Sequence, residues 1–165
     1  MPKMVTKRTK KLSHYDSAGR AAMVDVSAKA PTRRQAEASA FVSMSAEVLR
    51  ALPQNPKGNP LEVARIAGIS AAKRTSELIP MCHPLPLSFV DVIMEVCENG
   101  VKVYSQTATI AQTGVEMEAL VAASVASLTL YDMLKGIDRG ITITDIALVE
   151  KRGGRSGTWR RKPAP

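Results

Sequence analysis

One stretch decides the fold class: Ser88-Phe-Val-Asp-Val-Ile-Met-Glu-Val-Cys-Glu-Asn-Gly-Val-Lys-Val103. Its first ten residues alternate between apolar and other side chains, which predicts a strand with one apolar face made of Val90, Val92, Met94 and Val96. The dipeptide Asn99-Gly100 is the strongest short hairpin signal, and the return strand is predicted to run from Val101 to Ile110. The sequence therefore predicts an antiparallel hairpin at the centre of the chain.

The longest helix is predicted directly after this hairpin. Thr113-Gly-Val-Glu116 has the pattern of a capping box, and Gly136 is the expected stop after a helix that ends near Lys135. Apolar or small residues occur nearly all round this helix, which predicts burial on more than one side. In a domain of this size, another subunit could provide the second cover.

The remaining elements are predicted from periodicity and from proline positions. Before the hairpin we expect a strand at Met23–Ala28, a segment of helix or strand at Thr32–Ser45, a short helix capped by Ser45, and a longer helix that begins at Pro60. Three prolines make 79–87 an irregular, stiff crossing, and Ile141–Glu150 reads as a last strand. Helices and hairpins mixed in this order predict an α+β fold, with helices packed on a largely antiparallel sheet.

Charge and composition restrict the function classes. The chain has 165 residues, 45% of them hydrophobic, and only two cysteines, which suits one domain of a soluble cytoplasmic protein without a disulfide framework or membrane span. The net charge of +8 comes from the ends, since residues 1–12 carry five basic groups and residues 151–165 carry six, whereas the segment between them has a net charge of −3. We therefore predict a basic arm at 1–14, a folded domain at 15–157 and a basic tail at 158–165, and we regard nucleic-acid or polyanion binding through the ends as the alternative function.

Asp132 and Lys135 are neighbours on the long helix because they are three residues apart. Spacing alone favours an ordinary salt bridge, whereas an ion pair on a buried helix would favour a proton-transfer or phosphate-binding role. Glu118 lies fourteen residues before Asp132, which corresponds to roughly 21 Å along a helix. These two carboxylates therefore cannot contact one reacting atom within the same subunit.

Two further segments contain candidate ligand-binding residues. Cys82-His83 lies in the proline-rich crossing, where a structural and a functional role are about equally supported; no paired ligand spacing indicates a metal site. Lys57 and the basic, glycine-rich segment from Lys151 to Gly157 suit phosphate, although neither forms a known phosphate-binding loop.

Several segments together resemble the cyclic pyranopterin monophosphate synthase family, also called molybdenum-cofactor biosynthesis protein C. They are Met23-Val-Asp-Val-Ser-Ala-Lys-Ala30, Ala64-Arg-Ile-Ala-Gly-Ile69, Ala72-Lys-Arg-Thr75, Leu78-Ile-Pro-Met-Cys-His-Pro-Leu85, Thr113-Gly-Val-Glu-Met-Glu-Ala-Leu120, Tyr131-Asp-Met133 and Gly153-Gly-Arg-Ser-Gly157. The resemblance keeps its order over roughly residues 15–157.

This resemblance implies a ferredoxin-like α+β fold assembled as a homohexamer, a trimer of dimers with sites at subunit interfaces. It implies a lyase that converts 3′,8-cyclo-7,8-dihydroguanosine triphosphate into cyclic pyranopterin monophosphate and diphosphate. It places catalytic roles on Asp132 and Lys135, and substrate binding on Met81, Cys82, His83, Met117, Glu118, Lys57 and Lys151. No protein cofactor or metal ligand is implied, and whether magnesium accompanies the triphosphate stays open. A purely structural oligomerisation domain is a further alternative, in which Asp132 and Lys135 would be dispensable.

Overall fold

The computed structural model describes residues 14–16 and 18–162. It contains one antiparallel sheet in the order β2-β3-β1-β4-β5, with helices on one face. The strands are β1 (Thr32–Ser43), β2 (Leu87–Cys97), β3 (Gly100–Ala111), β4 (Thr142–Arg152) and β5 (Trp159–Arg160). The helices are α1 (Ala46–Ala51), α2 (Pro60–Ala72), α3 (Thr75–Leu78) and α4 (Glu116–Leu134), with a 3₁₀ turn at Leu52–Gln54. The α+β prediction is confirmed, and ferredoxin-like remains the expected description of its detail.

The predicted central hairpin is confirmed, with its turn one residue earlier than expected. Cys97 pairs with Gly100, so the two loop residues are Glu98 and Asn99, and Gly100 is the first residue of β3. Gly100 is needed there because a Cβ would collide with the carbonyl oxygen of Val42 in β1. The predicted apolar face of β2 holds except at Val96, which is half exposed because β2 continues past the helices that cover its middle.

The ambiguous segment 32–45 forms a strand over nearly its whole length. β1 pairs with β3 over its whole length and with β4 from Gln35 onward, and this pairing outweighs the helical character of its charged first half. Small residues on its covered face, Ala36, Ala38 and Ala40, let α4 pack close to the sheet. The predictions that Ser45 caps a short helix and that Pro60 begins α2 are both confirmed.

The strand predicted at Met23–Ala28 is wrong. Its backbone has no strand partner, and the only bridge in this part of the described chain joins Tyr15 to Ala21. The alternation arises because Val24 and Val26 are half-buried as lining of a cavity. At the other end, β4 extends to Arg152, and a further strand, β5, pairs with it inside the segment predicted to be a free basic tail. The predicted arm at 1–14 lies outside the described residues except for His14.

The predicted capping box at Thr113 is also wrong. The residue that precedes α4 is Val115, and no side chain caps the first turn. Packing fixes this end of the helix instead, because the Val115 side chain is fully buried and its carbonyl accepts a hydrogen bond of 3.1 Å from Thr107 in β3.

The long helix α4 is buried on two sides, as predicted, but both covers come from the same chain. The sheet lies on one side, and α2 packs on the other, where Gly68 approaches Ala122 and Ala126. By length and composition α4 is a candidate membrane span, yet 56% of its most apolar stretch is buried within the fold. A core helix explains these properties.

Candidate active site

Five of the predicted site residues line one cavity at the N-terminal end of α4. The cavity has a volume of about 300 Å³ and lies between the proline-rich crossing, the first turn of α4 and the segment at 24–29. The predicted residues in its lining are Met81, Cys82, His83, Met117 and Glu118. His14, Lys29 and Glu116 add further titratable groups.

Three hydroxyl groups on the covered face of β3 hold the walls of this cavity in place. Ser105 donates to the carbonyl of Ala119 at 2.6 Å, and Thr107 donates to that of Val115, so both fix the first turns of α4. Thr109 donates to the carbonyl of Pro86 at 2.6 Å and fixes the end of the crossing. The sheet therefore sets the distance between Cys82-His83 and Glu118.

Glu118 is the most unusual ionisable group of this cavity. Its side chain is 4% exposed and has no salt-bridge partner in the described part of the chain. Its pKa is raised to about 7, mainly by burial; a hydrogen bond with its own backbone lowers the pKa, and the charge of Glu116 makes a smaller contribution that raises it. Near neutral pH, Glu118 is therefore present as both carboxylic acid and carboxylate, and in the acid form it can donate a hydrogen bond.

His83 and Cys82 have different chemical capacities. The Nε2 atom of His83 lies 2.8 Å from the carbonyl oxygen of Val24. A carbonyl oxygen only accepts, so Nε2 carries the proton and Nδ1 of the neutral ring is left as an acceptor. Burial, and secondarily the charge of Glu118, raise the pKa of the Cys82 thiol. Cys82 is therefore a neutral wall of the cavity and not a thiolate nucleophile.

A basic groove of about 800 Å³ adjoins this cavity and shares Lys29, Thr113 and Gly114 with it. Arg34, Arg155 and Ser156 also line the groove, and Lys151 donates a hydrogen bond to Ser156. The predicted Lys151 thus lies at the edge of a cationic surface next to the cavity. Sequence reasoning did not single out Lys29, because its neighbours were interpreted as the end of a strand.

Asp132 and Lys135 form an ion pair at the other end of α4. Their Oδ1 and Nζ atoms are 2.7 Å apart, and the side chains are 62% and 49% exposed. The hydrogen bond and charge of Lys135 lower the pKa of Asp132, with a smaller contribution from Lys57, and the same pair raises the pKa of Lys135. Asp132 is thus a carboxylate and Lys135 an ammonium group at neutral pH, and Lys57 lies close enough to act on them.

Eight of the nine predicted site residues therefore fall into two groups, one at each end of α4, and the ninth, Lys151, lies at the edge of the groove. The ion-pair group consists of Lys57, Asp132 and Lys135. The cavity group consists of the five predicted residues in the cavity lining, Met81, Cys82, His83, Met117 and Glu118. Fourteen residues of regular helix separate Glu118 from Asp132, which is roughly 21 Å. Because α4 is one continuous helix from Glu116 to Leu134, the distance between Glu118 and Asp132 within the chain is fixed.

Two features bear on a metal site and on polyanion binding through the basic ends. Among residues 14–16 and 18–162, no three His, Cys, Asp or Glu side chains are grouped so that they could hold a metal ion. Part of the basic C-terminal charge is engaged within the fold, since the buried Glu150 carboxylate of β4 is paired with both Arg152 and Arg160. These two arginines serve the fold, which weakens the interpretation of this end as a free polyanion-binding tail.

The sequence matches the model of the MoaC family over residues 23–154. The chain belongs to the MoaC family. All nine predicted site residues lie within the matched span, from Lys57 to Lys151. Two curated relatives are similar to the chain over nearly their whole length. A cyclic pyranopterin monophosphate synthase of Thermomicrobium roseum is 53% identical over 155 residues, which cover 92% of this chain and 93% of the relative. A cyclic pyranopterin monophosphate synthase 1 of Mycobacterium bovis is 53% identical over 153 residues, covering 91% and 90%.

Proposed function

We propose that this chain is a cyclic pyranopterin monophosphate synthase of molybdenum cofactor biosynthesis. It converts 3′,8-cyclo-7,8-dihydroguanosine triphosphate into cyclic pyranopterin monophosphate and releases diphosphate. Family membership and the names of two relatives support the reaction. The structural observation that carries the proposal is the cavity at the N-terminal end of α4, with a poised carboxylic acid and a cationic groove beside it.

The cavity suits the purine-derived part of the substrate. Glu118 in its acid form donates a hydrogen bond, His83 accepts one at Nδ1, and Met81, Cys82 and Met117 offer apolar surface to a flat ring. The basic groove suits the triphosphate, since Lys29, Arg155 and the Lys151-Ser156 contact place positive charge beside the cavity. One extended ligand would therefore occupy both spaces.

Asp132 and Lys135 are proposed to transfer the protons. The carboxylate of Asp132 accepts a proton and the ammonium group of Lys135 donates one as the purine-derived ring opens and closes again as a pterin. A sugar hydroxyl then attacks the α-phosphorus, the bond from that phosphorus to the diphosphate breaks, and the diphosphate leaves. Lys57 and Lys151 offset the phosphate charge during this step.

The distance between the two groups of residues leads us to propose a site shared between subunits. Glu118 of one subunit and Asp132 of another can face the same substrate, whereas within one chain they are roughly 21 Å apart. Support for assembly comes from the uncovered face of the sheet, where Phe89, Ile93, Tyr104 and Ile110 are at least 37% exposed. An apolar sheet face of this kind is typical of a protein interface. We propose the homohexamer, a trimer of dimers, as the assembly that contains these sites.

Two further points belong to the proposal. We propose the cytoplasm as the place of the reaction, which is supported by both cysteines, Cys82 and Cys97, being free thiols. Magnesium is proposed to enter only with the triphosphate of the substrate, since the protein supplies cations of its own at the groove.

The direct test supplies the cyclo-dihydroguanosine triphosphate to the purified protein and measures diphosphate and the pyranopterin product. We expect product from the wild type and from two exposed controls, Glu47→Gln and Lys73→Ala. Asp132→Asn and Lys135→Ala should assemble normally and give at least about 100-fold less product. A wild type that yields neither product with fresh substrate would refute the activity.

The shared site is tested by mixing two inactive variants, Asp132→Asn and His83→Ala. If each site takes one group from each of two subunits, half of random dimers are mixed and each mixed dimer contains one intact site, so about a quarter of the activity returns. If both groups came from one subunit, every site would carry a substitution and mixing would restore nothing.

A further inference from the structure

One side chain, Asn55, fastens the loop between the 3₁₀ turn and α2 to the end of α4. Its Nδ2 atom donates to the backbone carbonyl of Met133 at 3.0 Å. Its Oδ1 atom accepts from the backbone amide of Lys57 at 2.9 Å, and its own carbonyl accepts from the amide of Gly58 at 3.1 Å. Asn55 is half-buried, whereas Lys57 and Gly58 are exposed.

These bonds connect two parts of the proposed ion-pair group. Met133 directly follows Asp132, and its carbonyl is among the last four of α4, which lack a partner within the helix. The amide of Ile137, four residues on, bonds to Leu134 instead, which leaves the Met133 carbonyl for Asn55. At the other end, the bond to the Lys57 amide closes a tight turn, so the position of Lys57 follows that of Asn55.

The electrostatics of the two residues agree with this connection. Lys57 is 75 residues away from Asp132 in sequence, yet its charge contributes to the lowered pKa of that carboxylate. In the described part of the chain, Asn55 provides the only side-chain hydrogen bond recorded between this loop and α4. Without it, no side-chain hydrogen bond among the described residues would join the loop that carries Lys57 to α4.

We propose that Asn55 is a positioning residue that holds Lys57 beside Asp132 during the reaction. Its catalytic consequence rests on the proposed function, whereas the clamp itself does not. The competing explanation is that Asn55 merely satisfies the end of α4, in which case its loss would lower stability without acting through Lys57.

The clamp is tested first by amide hydrogen exchange in the assembled protein. In Asn55→Ala we expect exchange at the Lys57 amide to become at least about tenfold faster, because its acceptor is gone. Asn55→Asp should keep that amide protected, since a carboxylate oxygen still accepts, although this variant loses the bond to Met133 because a carboxylate has no donor. Unchanged exchange in Asn55→Ala would overturn the proposal whether or not the protein has the proposed activity.

The catalytic consequence is tested by a double-mutant cycle with Lys57→Ala. With saturating cyclo-dihydroguanosine triphosphate, Asn55→Ala should lower the rate about tenfold in the wild-type background, because small displacements of a charged group are costly to catalysis. In the Lys57→Ala background the same change should lower it less than about twofold. An equal factor in both backgrounds would overturn the positioning role.

The matched control is Asn59→Ala in the same loop. Asn59 caps α2 through the amides of Leu61 and Glu62 and makes no bond to α4, so its loss perturbs stability without releasing Lys57. We expect a near wild-type rate from this variant at a temperature where it is folded. A rate loss as large as that of Asn55→Ala would show that loop stability, and not the clamp, governs turnover. A wild type without turnover would refute the proposed function while leaving the exchange result valid.

Discussion

Replacement of Glu118 by Gln should change the pH dependence of stability in a calculable way. The side chain is 4% exposed, and burial is the main cause of its raised pKa of about 7 against an ordinary value of 4.5. Between these two values the folded protein holds a proton that the unfolded chain has released. The free energy of unfolding therefore decreases as the pH rises through this window, and it is fully reduced above the folded pKa.

The size of the effect follows from the shift. A folded pKa of about 7 against an ordinary value of 4.5 corresponds to roughly 3 kcal/mol, of which about 2.5 kcal/mol is lost between pH 5 and pH 8. Gln has a similar shape and does not ionise, so the variant lacks this loss. Glu118→Gln should therefore gain about 2.5 kcal/mol relative to the wild type when both are moved from pH 5 to pH 8.

Denaturant unfolding of both proteins at the two pH values, at equal protein concentration, measures this gain. Glu77→Gln, at an exposed acid in α3, is the matched control and should run parallel to the wild type. A difference between Glu118→Gln and wild type that stays within about 0.5 kcal/mol across the range would refute the reasoning. It would mean that Glu118 is charged in the folded protein at neutral pH and cannot act as a hydrogen-bond donor.

Three further substitutions test the packing. Gly68→Ala should lower the free energy of unfolding by about 1–3 kcal/mol, because a Cβ would lie 2.8 Å from the Ala122 carbonyl oxygen. Gly136→Ala, with open space around the glycine, should change the free energy of unfolding by less than about 0.5 kcal/mol. Equal effects of the two substitutions in denaturant unfolding would contradict this explanation. Glu150→Gln should speed amide exchange at Arg161, which bonds Val149 at 2.8 Å beside β5. Because Arg152 foremost, together with Arg160, lowers the pKa of Glu150, the wild type should keep this protection until the pH falls below the ordinary range of a glutamate. Thr113→Ala should leave stability within about 0.5 kcal/mol in thermal unfolding, whereas Ser45→Ala, at a true N-cap, should cost about 1 kcal/mol.

The sequence predicted correctly those parts of the fold that depend on the conformational preferences of a few adjacent residues. The hairpin, the Ser45 cap and the start of α2 at Pro60 each depend on a few adjacent residues, and the structure confirms all three. The first half of β1 and the start of α4 depend on partners far away in sequence. Arg33 and Arg34 at the beginning of β1 become strand because they pair with β3, and β4 adds a second partner from Gln35 onward. Val115 replaces the expected cap because its side chain is buried.

The candidate site shows the same division. Spacing alone favoured a salt bridge between Asp132 and Lys135, and the structure contains that salt bridge; the catalytic role rests on the family resemblance and stays a prediction. Lys29 and Asn55 had no local signal, since Lys29 reaches the cavity only through the fold and Asn55 bonds a residue 78 positions away. Contacts of this range cannot be inferred from one sequence.

At each end of α4, the surroundings of the carboxylate favour the charge state opposite to the one that the helix dipole favours. A carboxylate at the N-terminal end gains about 0.3–1 kcal/mol from the dipole, yet burial raises the pKa of Glu118 by an amount worth roughly 3 kcal/mol, so burial prevails. At the C-terminal end the dipole disfavours a carboxylate, but the hydrogen bond from Lys135 holds Asp132 in its charged form. Environment therefore gives one helix a carboxylic acid that can donate a hydrogen bond at one end and an ion-paired carboxylate at the other. Because α4 is continuous and roughly 21 Å separates them, the two carboxylates cannot contact the same reacting atom within one chain.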